Sequence, residues 1–102
     1  MSEISIEREE ADGKGRYVGR IAGIDGEAEI TFTRRNPKLI SADHTGAPEN
    51  MRGTGAAFAL VEYMIADARR EGFKIIPICP YVKAQYRKHP EWADVMKGVP
   101  PK

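Results

Sequence analysis

Three places in this sequence set reactive or ligand-holding residue types where they could work together. The first is Asn50-Met51-Arg52-Gly53-Thr54-Gly55-Ala56-Ala57. Glycines here let the backbone turn its N–H groups inward and let a ligand come close. A helix starting at this point adds donors and the positive end of a dipole. Together these make an anion site, to which Arg52 adds a charge-assisted contact. By composition alone the stretch also reads as a plain glycine turn with Thr54 near a helix cap, because so short a pattern discriminates weakly. The second place is Cys79, the one cysteine of the chain. Its sulfur is either a nucleophile or a small buried apolar group. The third is His44-Thr45. An imidazole titrates near neutrality and could serve as a base or activate Cys79, while the pair equally suits a strand end held by hydrogen bonds.

The elements that must position these groups follow from periodicity. Ile4 and Ile6 alternate with Ser5 and Glu7 in a short, edge-like first strand, broken by Asp12-Gly13-Lys14-Gly15. Tyr17, Val18 and Ile21 mark a second strand over 16–22, which Asp25-Gly26 is expected to fold back as a tight hairpin. In the third, Ala28, Ile30 and Phe32 alternate with Glu27, Glu29, Thr31 and Thr33, and Asn36-Pro37 ends it. A fourth strand over 39–45 leads into a loop over 46–50. The period then changes: Ala57, Leu60, Val61, Met64, Ile65 and Ala68 form one apolar helical face, stopped by Gly72, with Arg69 and Arg70 suiting the last turn. Phe73 to Cys79 reads as a short buried strand, in which Pro77 argues for an edge or splayed position. Residues 82–88 form a short helix after Pro80, and Trp92, Val95 and Met96 supply one last turn before a loose tail over 98–102. The fold class is therefore α+β: a mostly antiparallel sheet of about five strands, one long helix after strand four and a short C-terminal helix. One domain is expected over residues 1–97.

The bulk composition narrows the function classes. A chain of 102 residues with 41% hydrophobic and 30% charged residues can fill one core without metal or disulfide support. A formal net charge of +1 gives no basic excess for a dedicated nucleic-acid binder, and Arg34, Arg35 and Lys38 read as a solvated hairpin end. The start lacks the layout of a signal peptide and no apolar run approaches the roughly 20 residues of a membrane span, so a cytoplasmic protein is the expectation. Two histidines and one cysteine are too scattered for a zinc site. There is no Gly-x-x-x-x-Gly-Lys-Ser/Thr run, and the glycines follow four strands instead of one, which argues against ATP hydrolysis and NAD binding. What remains is a pyrophosphate-containing cofactor gripped by backbone amides, with coenzyme A the candidate.

This order of elements resembles the GNAT superfamily of N-acetyltransferases, and the glycine loop resembles its Gln/Arg-x-x-Gly-x-Gly/Ala signature. Gly53 and Gly55 hold the later positions; Asn50 departs from the pattern at the first. His44-Thr45, the Arg52 to Gly55 loop, and Cys79-Pro80-Tyr81-Val82 followed by Tyr86 and His89-Pro90-Glu91-Trp92 are similar to a minimal single-domain branch, over nearly the whole chain. The resemblance implies acetyl-CoA as cofactor, its arm lying between the fourth and fifth strands. It implies Thr45 and residues Asn50 to Ala57 as cofactor contacts, and Tyr81 and Lys83 as contacts from the far side. In that branch the cysteine in the place of Cys79 is a suspected nucleophile. Tyr86 falls where many GNAT enzymes place a tyrosine that protonates the leaving thiolate; it reads equally as a packed aromatic, and Lys83 as a surface lysine. His89 and Trp92 are given structural roles.

The leading expectation is an acetyl-CoA-dependent N-acetyltransferase acting on a small amine, a protein lysine or an N-terminus, with catalytic candidates Cys79, His44 and Tyr86. The alternative is a non-catalytic CoA-binding or acyl-CoA-sensing module, because no helical insertion after the first strand shapes an acceptor pocket. An acceptor groove left open in this way admits a macromolecular tail or a second subunit, leaving monomer and homodimer both open.

Overall fold

The computed structural model describes residues 4–51 and 53–97. Its strands are β1 (Ile4–Ala11), β2 (Lys14–Ile21), β3 (Ala28–Asn36), β4 (Leu39–Gly46) and β5 (Lys74–Pro77), and its helices are α1 (Ala56–Glu71) and α2 (Pro80–Lys88). Short 3-10 turns occupy Glu49–Met51 and Pro90–Asp94. The strands lie in chain order, β1 to β4 antiparallel and β4 to β5 parallel. The sheet is thus mixed at its last pair, because α1 carries the chain back across the sheet before β5 begins. No helix among the described residues is long and apolar enough to cross a membrane.

The two-residue hairpin sits elsewhere than expected. Asp12 (φ 55°) and Gly13 (φ 78°) are both left-handed and join β1 to β2, the backbone signature of a tight primed turn. The segment with Asp25-Gly26 is a wider loop between Ile21 and Ala28, closed by the Ile24 N–H on the Ile21 carbonyl at 3.1 Å. β1 is also longer than its alternation suggested. Its outer half is held by charge instead of apolar contact: Glu9 stands directly opposite Arg16, whose guanidinium donates to Glu9 at 2.8 Å.

One face of the sheet carries Tyr17, Ile30, Phe32, Ile40 and Ala42, which pack with Leu60, Val61, Met64, Ile65 and Ala68 of α1 into one core. On that helix Ala56 is buried and Ala57 only half-buried, a slight rotation from the sequence reading. Asp67 is also buried, on the same helix as the apolar stripe. Its carboxylate accepts from Tyr17 Oη at 2.7 Å, from Arg8 at 2.7 Å and from Arg70, so burial of the charge is matched by partners. Burial, then the bond to Asp67, pushes the Tyr17 phenol well above its ordinary range. The opposite face is ionic. Arg16 also donates to Glu27 (2.8 Å) and Glu29 (2.9 Å), and Arg20 to Glu27 (2.8 Å), with Val18 wholly buried beneath.

α1 ends as predicted at Gly72 (φ 80°), whose N–H reaches the Ala68 carbonyl at 2.8 Å. β5 is an edge strand with one short outer pairing, where Ile75 exchanges bonds with Val95 and Lys97 at 2.8 Å each. Pro77 occupies the next outward-facing amide position, so its missing N–H ends that pairing at no cost. Ile78, expected within a buried strand, is 43% exposed. The tail over 98–102 lies outside the described residues.

Candidate functional site

The glycine loop is built around Thr54. Its Oγ1 donates to the Met51 carbonyl at 2.6 Å and accepts the Ala56 N–H at 3.2 Å, capping α1 from one position before Gly55. Gly53 (φ 77°) and Gly55 (φ 80°) are both left-handed, a conformation costly for any side chain. The space where a Cβ would stand at either is open, with no atom within 4 Å. The first α1 bond runs from the Ala59 N–H to the Gly55 carbonyl at 2.9 Å, so the amides of residues 55–58 come before the intrahelical ladder. Apart from the Ala56 N–H, which Thr54 Oγ1 takes, amides at an exposed, glycine-containing helix start suit an anion such as a pyrophosphate.

The surrounding side chains divide. Asn50 turns toward the hairpin loop, where Nδ2 donates to the Asp25 carbonyl at 3.0 Å. Met51 and Ala56 are buried. Met51 and Ala56 thus offer a ligand only backbone, while the exposed Asn50 has its Nδ2 engaged. Arg52 lies outside the described residues.

The second part of the site is a widening beside β4. β5 pairs with β4 only from Leu39 opposite Lys74 to Ala42 opposite Pro77, whereas β4 continues against β3 as far as Gly46. Ala42 is the last shared rung: its carbonyl accepts from the N–H groups of Ile78 (3.1 Å) and Cys79 (2.9 Å). Beyond it the chain leaves the sheet and enters α2 through Cys79 as N-cap and Pro80 in the first turn. Residues 43–46 therefore present an edge that β5 does not cover. In β4, Phe32 stands opposite Ala42 but Thr31 opposite His44, so Asp43 is the extra residue of a bulge.

The chain from Arg16 to Val95 matches the sequence model of the family described as GCN5-related N-acetyl-transferase. It belongs to that family. The NMR solution structure of a GCN5-like protein from Staphylococcus aureus is similar over 91% of this chain and 89% of that one, at 26% identity and a TM-score of 0.60. No curated protein matches the chain. In this GCN5-related N-acetyltransferase the glycine loop lies between β4 and the long helix α1.

The bulge decides which candidate residues meet. Thr45 stands opposite Ile30, on the core face, and its Oγ1 is 3.1 Å from Cys79 Sγ. His44 stands opposite Thr31, on the ionic face, exposed, with its Nε2 3.5 Å from where a Gly46 Cβ would be. The structure thus brings Cys79 to Thr45, not to His44, and places the imidazole and the thiol on either side of β4. Tyr86 lies seven residues beyond Cys79, about 10 Å along the helix axis, on the same inner side of α2 as Val82. It is fully buried, and burial pushes its phenol up, as it does at half-buried Tyr81. Both therefore hold their protons at neutral pH. Lys83 is exposed one turn into α2. Arg87, which the sequence reading passed over, joins it in lining a groove of about 210 Å³ with Pro80 and Ala84; the spacing of four from Lys83 was its available signal.

Proposed function

We propose that this acetyltransferase binds acetyl-CoA along the uncovered edge of β4 and passes the acetyl group to an amine. The observation that carries the reading is the end of β4–β5 pairing at Ala42, which leaves residues 43–46 open between the glycine loop and Cys79. Acetyl-CoA, when bound, supplies an acyl carbon activated as a thioester. The loop over 53–57 holds the pyrophosphate by backbone amides, and Tyr81 flanks the arm from α2. Tyr86 keeps a proton ready for a departing thiolate. His44 stands on the outer face, where it accepts the proton an amine loses on acylation. In the route through Cys79 the sulfur bonds to the acyl carbon as the thioester C–S bond breaks, and the thiol proton passes to the departing coenzyme A sulfur. The amine then displaces it and Cys79 is regenerated. The acceptor is a small-molecule amine, a protein lysine or an N-terminus. Residues 1–97 act as one acetyl-CoA-binding domain, monomeric or homodimeric, in the cytoplasm.

A second reading, a module that binds acyl-CoA without turning it over, is favoured by one observation. Cys79 is only 3% exposed and its partner is Thr45, with no base beside it among the described residues. Intact-mass spectrometry after incubation with acetyl-CoA separates the two, comparing wild type with Cys79→Ala and following onward transfer to an amine panel. A single acetyl adduct lost in the variant and chased by amine supports the covalent route. Amine acetylation with no adduct supports direct transfer. Donor binding with an intact thioester and no product sinks the catalytic reading.

A further inference from the structure

β3 and β4 pair with two irregularities, and the extra residues of both turn to the same hydroxyl. Asp43 is the extra residue between the rungs Phe32–Ala42 and Thr31–His44, and Arg35 is the extra residue between Arg34–Ile40 and Asn36–Leu39. Arg35 Nε donates to Ser41 Oγ at 3.2 Å, and Ser41 Oγ donates in turn to Asp43 Oδ1 at 2.8 Å. The other carboxylate oxygen, Oδ2, accepts from Thr33 Oγ1 at 2.6 Å. Ser41 is wholly buried and stands opposite Thr33, so these bonds tie the bulge to both strands. Glu9, Glu27 and Glu29 on the same face meet Arg16, whereas Asp43 is held by two short bonds from hydroxyls.

The bulge sits where register has the largest consequence. One residue before it, the Ala42 carbonyl accepts the Cys79 N–H at 2.9 Å and fixes Cys79 against β4 whatever the strand does next. Beyond Asp43 the parity of β4 decides which side chain faces the thiol. With the bulge, Thr45 stands opposite Ile30 and its Oγ1 lies 3.1 Å from Cys79 Sγ. Without it, regular alternation would set His44 opposite Ile30 and turn Thr45 to the outer face. A bulge leaves a residue out of the ladder, so local bonds have to hold it. We propose that Asp43 is a positioning residue for acetyl transfer: its bonds to Ser41 and Thr33 hold the bulge, keeping Thr45 beside Cys79 and His44 on the outer face where it meets the amine's proton. The inference rests on the acetyl-CoA reading above. Asp43 acts through the strand, from the outer face, and not on the reacting atoms.

Two readouts test this in Asp43→Ala, Asp43→Asn and Thr33→Val, each beside the wild type. Cross-strand NMR contacts report the register, which in the wild type joins Thr31 to His44 and Ile30 to Thr45. Steady-state kinetics with acetyl-CoA and an amine panel report its consequence. In Asp43→Ala those contacts should weaken, and contacts from Thr31 to residue 43 and from Ile30 to His44 should take their place. Its kcat should fall at least roughly tenfold, with KM for acetyl-CoA changed by no more than about threefold. Asp43→Asn keeps the shape, an acceptor for Ser41 and a donor that Thr33 Oγ1 accepts, so it should retain the wild-type contacts and most of kcat. Thr33→Val removes one bond and leaves the carboxylate, and should lose about threefold in kcat. Wild-type contacts or wild-type kcat in Asp43→Ala, or Asp43→Asn as impaired as Asp43→Ala, overturns the inference. If Asp43→Ala does not fold, wild-type contacts and kcat in Thr33→Val overturn it. A wild type that acetylates no amine sinks the proposed function, and the NMR contacts then decide on their own whether Asp43 sets the register.

Discussion

At the β1 to β3 end of the sheet two buried or half-buried clusters of charge close on one another, whereas beside the uncovered end of β4 three exposed basic side chains have no protein partner among the described residues. Asp67, buried, takes Tyr17, Arg8 and Arg70, and Arg16 gathers Glu9, Glu27 and Glu29 over Val18. At the other end β5 stops four residues before β4 does, Ile78 is exposed, and His44, Lys83 and Arg87 have side chains without polar partners among the described residues. The paired end supplies stability, and that allows the β4 edge to remain uncovered.

The sharpest way to break this contrast is at Asp67. In Asp67→Asn the Arg8 and Arg70 charges lose their buried counter-ion and Tyr17 Oη its charged acceptor, a change that should cost about 3 kcal/mol of unfolding free energy in urea at neutral pH. Donor binding by the fraction still folded should be unchanged. A loss below about 1 kcal/mol would show that the paired end is not what holds the molecule together.

Gly55→Ala should behave the other way round. At φ 80° the new side chain is strained, but the space around it is open, so the stability cost should stay on the order of 1 kcal/mol. Because the strain reaches the turn that aims the α1 amides, coenzyme A affinity should drop at least tenfold by calorimetry. A variant with native affinity would remove the glycine loop from the donor site.

How far each end could be read from sequence follows the same division. Periodicity found all five strands and both helices, because apolar alternation and the 3.6-residue stripe are imposed by one core. The glycine loop was legible since positive φ at Gly53 and Gly55 is recorded in residue type. Asp67 was missed because an acid beside an apolar stripe looks like the helix's wet side until Arg8 and Tyr17 arrive from other strands. The expected proximity of His44 to Cys79 failed for a definite reason. Unbroken alternation along β4 would put His44 on the face of Ile40 and Ala42. The bulge at Asp43 inverts that parity, and puts Thr45 there instead. Nothing in Ser41-Ala42-Asp43-His44 announces an extra residue.

Acid gives the mildest test of the paired end. The bond from Arg34 holds the Glu10 carboxyl below its usual range, tying β3 to β1, and Arg16 does the same to Glu27. A carboxyl whose folded value lies below its unfolded value stabilises the protein above the ordinary carboxylate range, near pH 4, and loses that contribution as pH falls through the lowered folded value. Urea midpoints should therefore be flat from about pH 5 to 8 and decline below about 4, modestly, since both pairs reach solvent. Arg34→Gln should lower the neutral plateau and shrink the acid decline, because Glu10 then titrates alike in both states. A decline of unaltered size in that variant would mean that the acid response originates elsewhere, and that the charges along β1 do less for stability than their geometry implies.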